Sequence, residues 1–143
     1  MKKLTVLLLS VSFFVGCSED DEGKALIGVW EGQFQEVSNC INNPDEIRTT
    51  NLRCNDITCF RLELNADGTY VYQQGTPVEN GTYTGNFSAL TLCMDEEGEL
   101  QCTTFTVEEN TSSTLFISTT NEASGCKTAI FFQRPFVEEV SEE

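Results

Sequence analysis

Seven cysteines and no histidine set the chemistry open to this 143-residue chain. Without histidine the commonest general base is missing. Lys2 and Lys3, followed by an uncharged stretch from Leu4 to Val15, read as a secretory signal, so the cysteines should meet an oxidising compartment. Six of them, Cys40, Cys54, Cys59, Cys93, Cys102 and Cys126, form an even set in a small exported domain, which implies disulfides. Many connectivities are open to six cysteines, and local spacing must choose among them. Cys93 and Cys102 flank a turn, Asp95-Glu96-Glu97-Gly98-Glu99, and suit a cross-strand bridge. Cys54 and Cys59 are close enough to clip one loop, which leaves Cys40 with Cys126. Closing that long loop would contribute about 4–5 kcal/mol in the chain-entropy picture. Zinc would need histidine or paired Cys-x-x-Cys motifs, and the chain has neither. Asp95, Glu96, Glu97 and Glu99 offer oxygens to a hard cation but lack the alternating spacing of a calcium loop, so a solvated turn is expected. No catalytic residue, metal or cofactor is expected, and an enzyme is not.

The seventh cysteine, Cys17, closes Phe14-Val15-Gly16-Cys17, which resembles the bacterial lipobox, with phenylalanine where an aliphatic residue is usual. The resemblance implies cleavage after residue 16 and lipid attachment at Cys17, with several acyl chains holding the protein to a membrane. The apolar run before it is shorter than the roughly 20 residues a spanning helix needs. Ser18-Glu19-Asp20-Asp21-Glu22 is similar to the acidic export tag of some Gram-negative surface lipoproteins. The outer membrane is therefore the expected location, at the cell surface or, failing that, on the periplasmic face. An ordinary secreted protein is the alternative. Losing residues 1–16, which carry Lys2 and Lys3 and no acid, takes the net charge from −15 down by two to −17. That charge repels nucleic acid phosphates, and nucleic acid binding is dismissed.

Along the body of the chain, residues 17–25 read as an acidic tether, 26–136 as the folded domain and 137–143 as an acidic tail. From Gly28 the pattern has period two, with Trp30, Gly32 and Phe34 on one face. A long polar loop is expected from Ser38 to Ile57. Phe60-Arg61-Leu62-Glu63-Leu64 alternates cleanly, Asp67-Gly68 turns the chain, and Tyr70-Val71-Tyr72 returns. Further short strands follow around Gly81–Thr84, Leu90–Met94, Thr104–Val107, Ser113–Ser118 and Lys127–Gln133. Eight short strands with tight turns suggest an all-β chain, an antiparallel up-and-down barrel that removes its own edges. A two-sheet β-sandwich is the alternative.

Leu26-Ile27-Gly28-Val29-Trp30 resembles the first strand of lipocalin-like lipoprotein domains, with their Gly-x-Trp. Phe60-x-Leu62-x-Leu64-Asn65-x-Asp67-Gly68-Thr69-Tyr70, then Gly81-Thr82-Tyr83 with Leu90-Thr91-Leu92, and finally Phe132-Gln133-Arg134 are similar to later strands of the same family. No C-terminal helix is expected after Phe136, a departure from typical lipocalins. The resemblance implies a lipocalin-like barrel whose base is closed by Arg134 over Trp30. The inward set expected from alternation is Trp30, Phe34, Phe60, Leu62, Tyr83, Leu90, Leu92, Phe105, Leu115, Ile117 and Phe132. Those around the bore, Phe34, Phe60, Leu62, Tyr83, Leu90, Leu92, Phe105, Ile117 and Phe132, are the candidate ligand cavity, with Tyr83 as its polar handle.

Two functions follow. The first is a membrane-anchored barrel that binds or carries a small hydrophobic ligand, for which a cavity of roughly 300 Å³ or more is required. The second is a protein–protein interaction module of the outer envelope, with a filled core and an exposed apolar patch.

Overall fold

The structure, a computed structural model, describes residues 25–54, 59–75 and 78–136. The expected signal segment 1–16, Cys17, the expected tether up to residue 24 and the expected tail 137–143 lie outside the described residues. Nine strands are present: β1 (Gly28–Ser38), β2 (Arg48–Asn51), β3 (Phe60–Leu64), β4 (Thr69–Gln74), β5 (Val78–Gly85), β6 (Ala89–Glu96), β7 (Glu99–Asn110), β8 (Thr114–Thr120) and β9 (Lys127–Gln133). All neighbours are antiparallel, and β1 also pairs with β9 from Glu31 to Ser38. That last pairing closes β1 and β3–β9 into an eight-stranded barrel and rules out an open sandwich.

The ninth strand, β2, lies within the segment expected to be a loop. Its four residues are all exposed, so alternation could not announce it. It exists because β1 leaves β3 after Glu31, which frees the edge from Phe34 to Val37 for Arg48–Asn51. A single 3-10 turn, Pro44–Glu46, precedes it.

Hairpin chemistry sets the registers. At the β6–β7 turn Glu97 and Gly98 both take positive φ, 55° and 87°, which matches the twist of the flanking strands. The Asp95 carboxylate accepts the Gly98 N–H at 2.9 Å, so the acidic cluster begins with a turn-holding side chain. At the β3–β4 turn Asp67 accepts both the N–H and the hydroxyl of Thr69. These bonds hold its carboxyl below the ordinary range.

The three disulfides join Cys40 to Cys126, Cys54 to Cys59 and Cys93 to Cys102. Cys93 and Cys102 are direct cross-strand partners on β6 and β7. Cys40 and Cys126, 86 residues apart, tie the exit of β1 to the entry of β9.

The main core gathers Leu26, Trp30, Leu62, Leu64, Leu90, Leu115, Ile117 and Phe132, all essentially without solvent contact. Phe34 does not join them, which corrects the expectation from alternation. The pairing of β1 with β9 slips between Gly32 and Phe34, so Gln33 is an inserted residue. A bulge of this kind reverses the faces of everything beyond it. Phe34 therefore sits outside, 38% exposed, stacked on Phe131 at 5.3 Å.

Candidate functional site

The two ends of the barrel differ. The base is where β1 begins and β9 ends. There the Trp30 indole N–H donates to the Leu26 carbonyl at 2.8 Å. The Arg134 guanidinium lies over the indole, 3.7 Å from its ring centroid to the guanidinium carbon. It donates to the carbonyls of Ala25, Ile27 and Val29 at 3.2, 2.7 and 3.4 Å. Burial lowers its pKa, and the carbonyls and ring face supply the partners a desolvated cation needs. Gly28, at φ +119°, has no Cβ because Arg134 occupies that space. Among the described residues, Arg134 stacked on Trp30 and bonded to the carbonyls of the opening segment closes the base.

The mouth is different. A cavity of about 310 Å³ opens there, lined by Tyr70, Tyr72, Gln74 and Glu79 from β4 and β5, Leu92 and Met94 from β6, Gln101, Thr103 and Phe105 from β7, and Ile130 from β9. Its placement follows from alternation: each of these strands turns every second residue inward, and the inward residues become more polar toward the mouth. Tyr72 and Glu79 are direct partners across β4 and β5. The Tyr72 hydroxyl donates to the Gln74 side-chain carbonyl at 3.2 Å. Its pKa is pushed up to about 12, first by burial and then by the Glu79 charge. Beside the cavity Phe60, the cross-strand partner of Gln74, packs edge-on to Tyr72 at 4.9 Å and tilted against Phe132 at 5.6 Å.

The expected cavity residues divide accordingly. Leu92 and Phe105 line the cavity. Leu62, Leu90, Ile117 and Phe132 are packed core with no free surface to offer. Phe60 is buried too, and its edge borders a second, more polar recess of about 300 Å³ beside Leu52, Cys59 and Gln74. Tyr83 is not the polar handle. Its hydroxyl donates to the Asn65 carbonyl at 2.8 Å and pins the β3–β4 turn at the base. The cavity is lined instead by Tyr72, which sequence reasoning did not single out. Its alternation with Tyr70 was visible, but its depth within the bore was not.

Two groupings of possible metal ligands occur among the described residues, Glu31 with Cys54 and Cys59, and Glu46 with Cys40 and Cys126. Both sulfurs of each are joined in a disulfide and have no thiolate to give. Comparison of the chain with protein-family models, curated proteins and solved structures found no match.

Proposed function

We propose that the chain is an exported, lipid-anchored lipocalin-like protein that holds a small, mainly apolar molecule in the open end of its barrel. The observation that carries this reading is the cavity of about 310 Å³ at the mouth. It combines apolar walls at depth with a few polar groups at the rim, the usual make-up of a small-molecule site. The barrel itself is a fold that encloses one ligand when its bore is not filled. Three disulfides suit an oxidising compartment. The lipobox-like residues ending at Cys17 and the acids after it favour anchoring to the outer membrane, with display at the cell surface.

One observation favours the interaction-module reading. Phe34, Phe131 and Phe116 form a continuous aromatic ridge on the outer wall, with centroid separations of 5.3 and 6.3 Å. The cavity favours the ligand reading more strongly, because an aromatic ridge of three rings is small for a stable protein interface.

The test is native mass spectrometry of the full chain taken from membranes, beside a Thr103→Trp variant that fills the cavity. The expected mass starts at Cys17 with acyl chains attached, has six oxidised cysteines, and carries a non-covalent small molecule that the variant lacks. A mature chain beginning elsewhere would overturn the anchor. A bound molecule retained equally by the variant would overturn the assignment to the mouth.

A further inference from the structure

The walls of the cavity also restrict the kind of molecule it takes. Among the described residues that line it, Glu79 is the one charged side chain, and no lysine or arginine is present. It stands directly across the β4–β5 ladder from Tyr72, with its carboxylate open to solvent at the rim. Three aromatic rings, those of Tyr70, Tyr72 and Phe105, contribute to the same surface, and aromatic faces attract cations. Both tyrosine hydroxyls stay protonated at neutral pH, since burial and the Glu79 charge raise their pKa values. The rings therefore add no negative charge of their own. The entrance is thus a carboxylate beside aromatic rings, over an apolar interior of Leu92, Met94 and Ile130.

From this arrangement we infer that the mouth selects a cationic amphiphile, a molecule with an apolar body and an ammonium head, whose head pairs with Glu79 while its body enters between β4 and β7. The inference rests on the ligand reading proposed for this cavity and adds the charge of the ligand to it. An anionic amphiphile of the same size would bring its head against Glu79 with no cation to offset the repulsion. The chain's net charge of −15 acts in the same direction at longer range, drawing cations in and repelling anions.

Three probes with one apolar body separate the outcomes: decyltrimethylammonium, decanol and decyl sulfate, each below the concentration at which it forms micelles. Titration calorimetry on the full chain should find the ammonium bound roughly tenfold more tightly than the alcohol, with the sulfate weakest. Glu79→Gln should narrow the preference for ammonium over alcohol to about threefold or less, and so should salt at about 0.5 M. Glu79 is exposed on a strand, so the variant folds. Equal affinities for the three probes, or an unchanged preference in Glu79→Gln, would overturn the inference and leave an uncharged ligand in the cavity. A preference for the sulfate would overturn it as well. Failure of all three to bind would overturn the ligand reading, and this inference with it.

Discussion

At its base the barrel is held by what it buries, and at its mouth by covalent ties. Trp30, Leu26, Leu64, Leu90, Leu115 and Phe132 have no appreciable contact with water, and Arg134 bonds three carbonyls of the opening segment. Toward the mouth the inward positions become Gln74, Glu79, Gln101 and Thr103, all exposed. There the Cys40–Cys126 disulfide ties the exit of β1 to the entry of β9 in a small buried cluster with Val37, and Cys93–Cys102 cross-links β6 to β7. A cavity that admits a molecule lacks the side chains that would otherwise cohere, and a cross-link constrains the chain without filling the space. Stability and access are thereby assigned to opposite ends of one sheet.

The strongest way to break this comparison is at the base. Trp30→Ala removes the largest buried side chain and leaves Arg134 without its aromatic partner. It should cost about 3–5 kcal/mol, the range for deleting a buried aromatic. Urea unfolding of the wild type and the variant measures it. A loss under about 1 kcal/mol would show that the base does not carry the fold.

A change of intermediate size is expected from the tyrosines, which sample the wall from base to mouth. The chain has three, Tyr70, Tyr72 and Tyr83. Burial raises all three pKa values, with Glu79 adding to the effect at Tyr70 and Tyr72 and Asp67 at Tyr83. The folded chain then keeps protons that the unfolded chain loses above pH 10, so stability falls as pH rises from there. For Tyr72 the fall ends near its folded value of about 12. Near-ultraviolet phenolate absorbance should show less ionisation of the native protein at pH 10 than the roughly half ionisation reached once urea is added. Native titration of all three near 10 would mean that water reaches the whole bore.

What the sequence made legible follows the same division. Strict alternation, as in Phe60-Arg61-Leu62-Glu63-Leu64, places a residue correctly when its strand is regular. The pairing of Cys93 with Cys102 followed from the turn between them. Bulges were not legible, because an inserted residue such as Gln33 leaves the local pattern intact while reversing the face, and Phe34 was misplaced for that reason. β2 was not legible either, since its four exposed residues carry no pattern and its pairing depends on where β1 parts from β3. The cavity depends on ring closure: only the assembled barrel shows that Phe60 packs edge-on against Tyr72 and that Tyr83 serves a turn.

The smallest expected effect lies on the outer wall, between the two ends. β7 carries a second irregularity between Val107 and Glu109, which makes Glu108 the extra residue. Its carboxylate accepts the Lys127 ammonium and the Ser118 hydroxyl, each at 2.7 Å, joining β7 to β8 and β9. Those bonds, with the Lys127 charge, hold its pKa below the ordinary 4.5. The folded state therefore favours the ionised form. The stability this adds is fully present above 4.5 and is lost as pH falls through the depressed value. Both groups are partly exposed, so salt should weaken the effect. Thermal midpoints of the wild type and Glu108→Gln should differ slightly at neutral pH and converge in acid. Acid also relieves the repulsion of a chain at −15, but it does so in both proteins, and the difference between them removes that contribution. A gap that stays constant across the acid range would assign the effect of Glu108 to the shape of the bulge rather than to its charge.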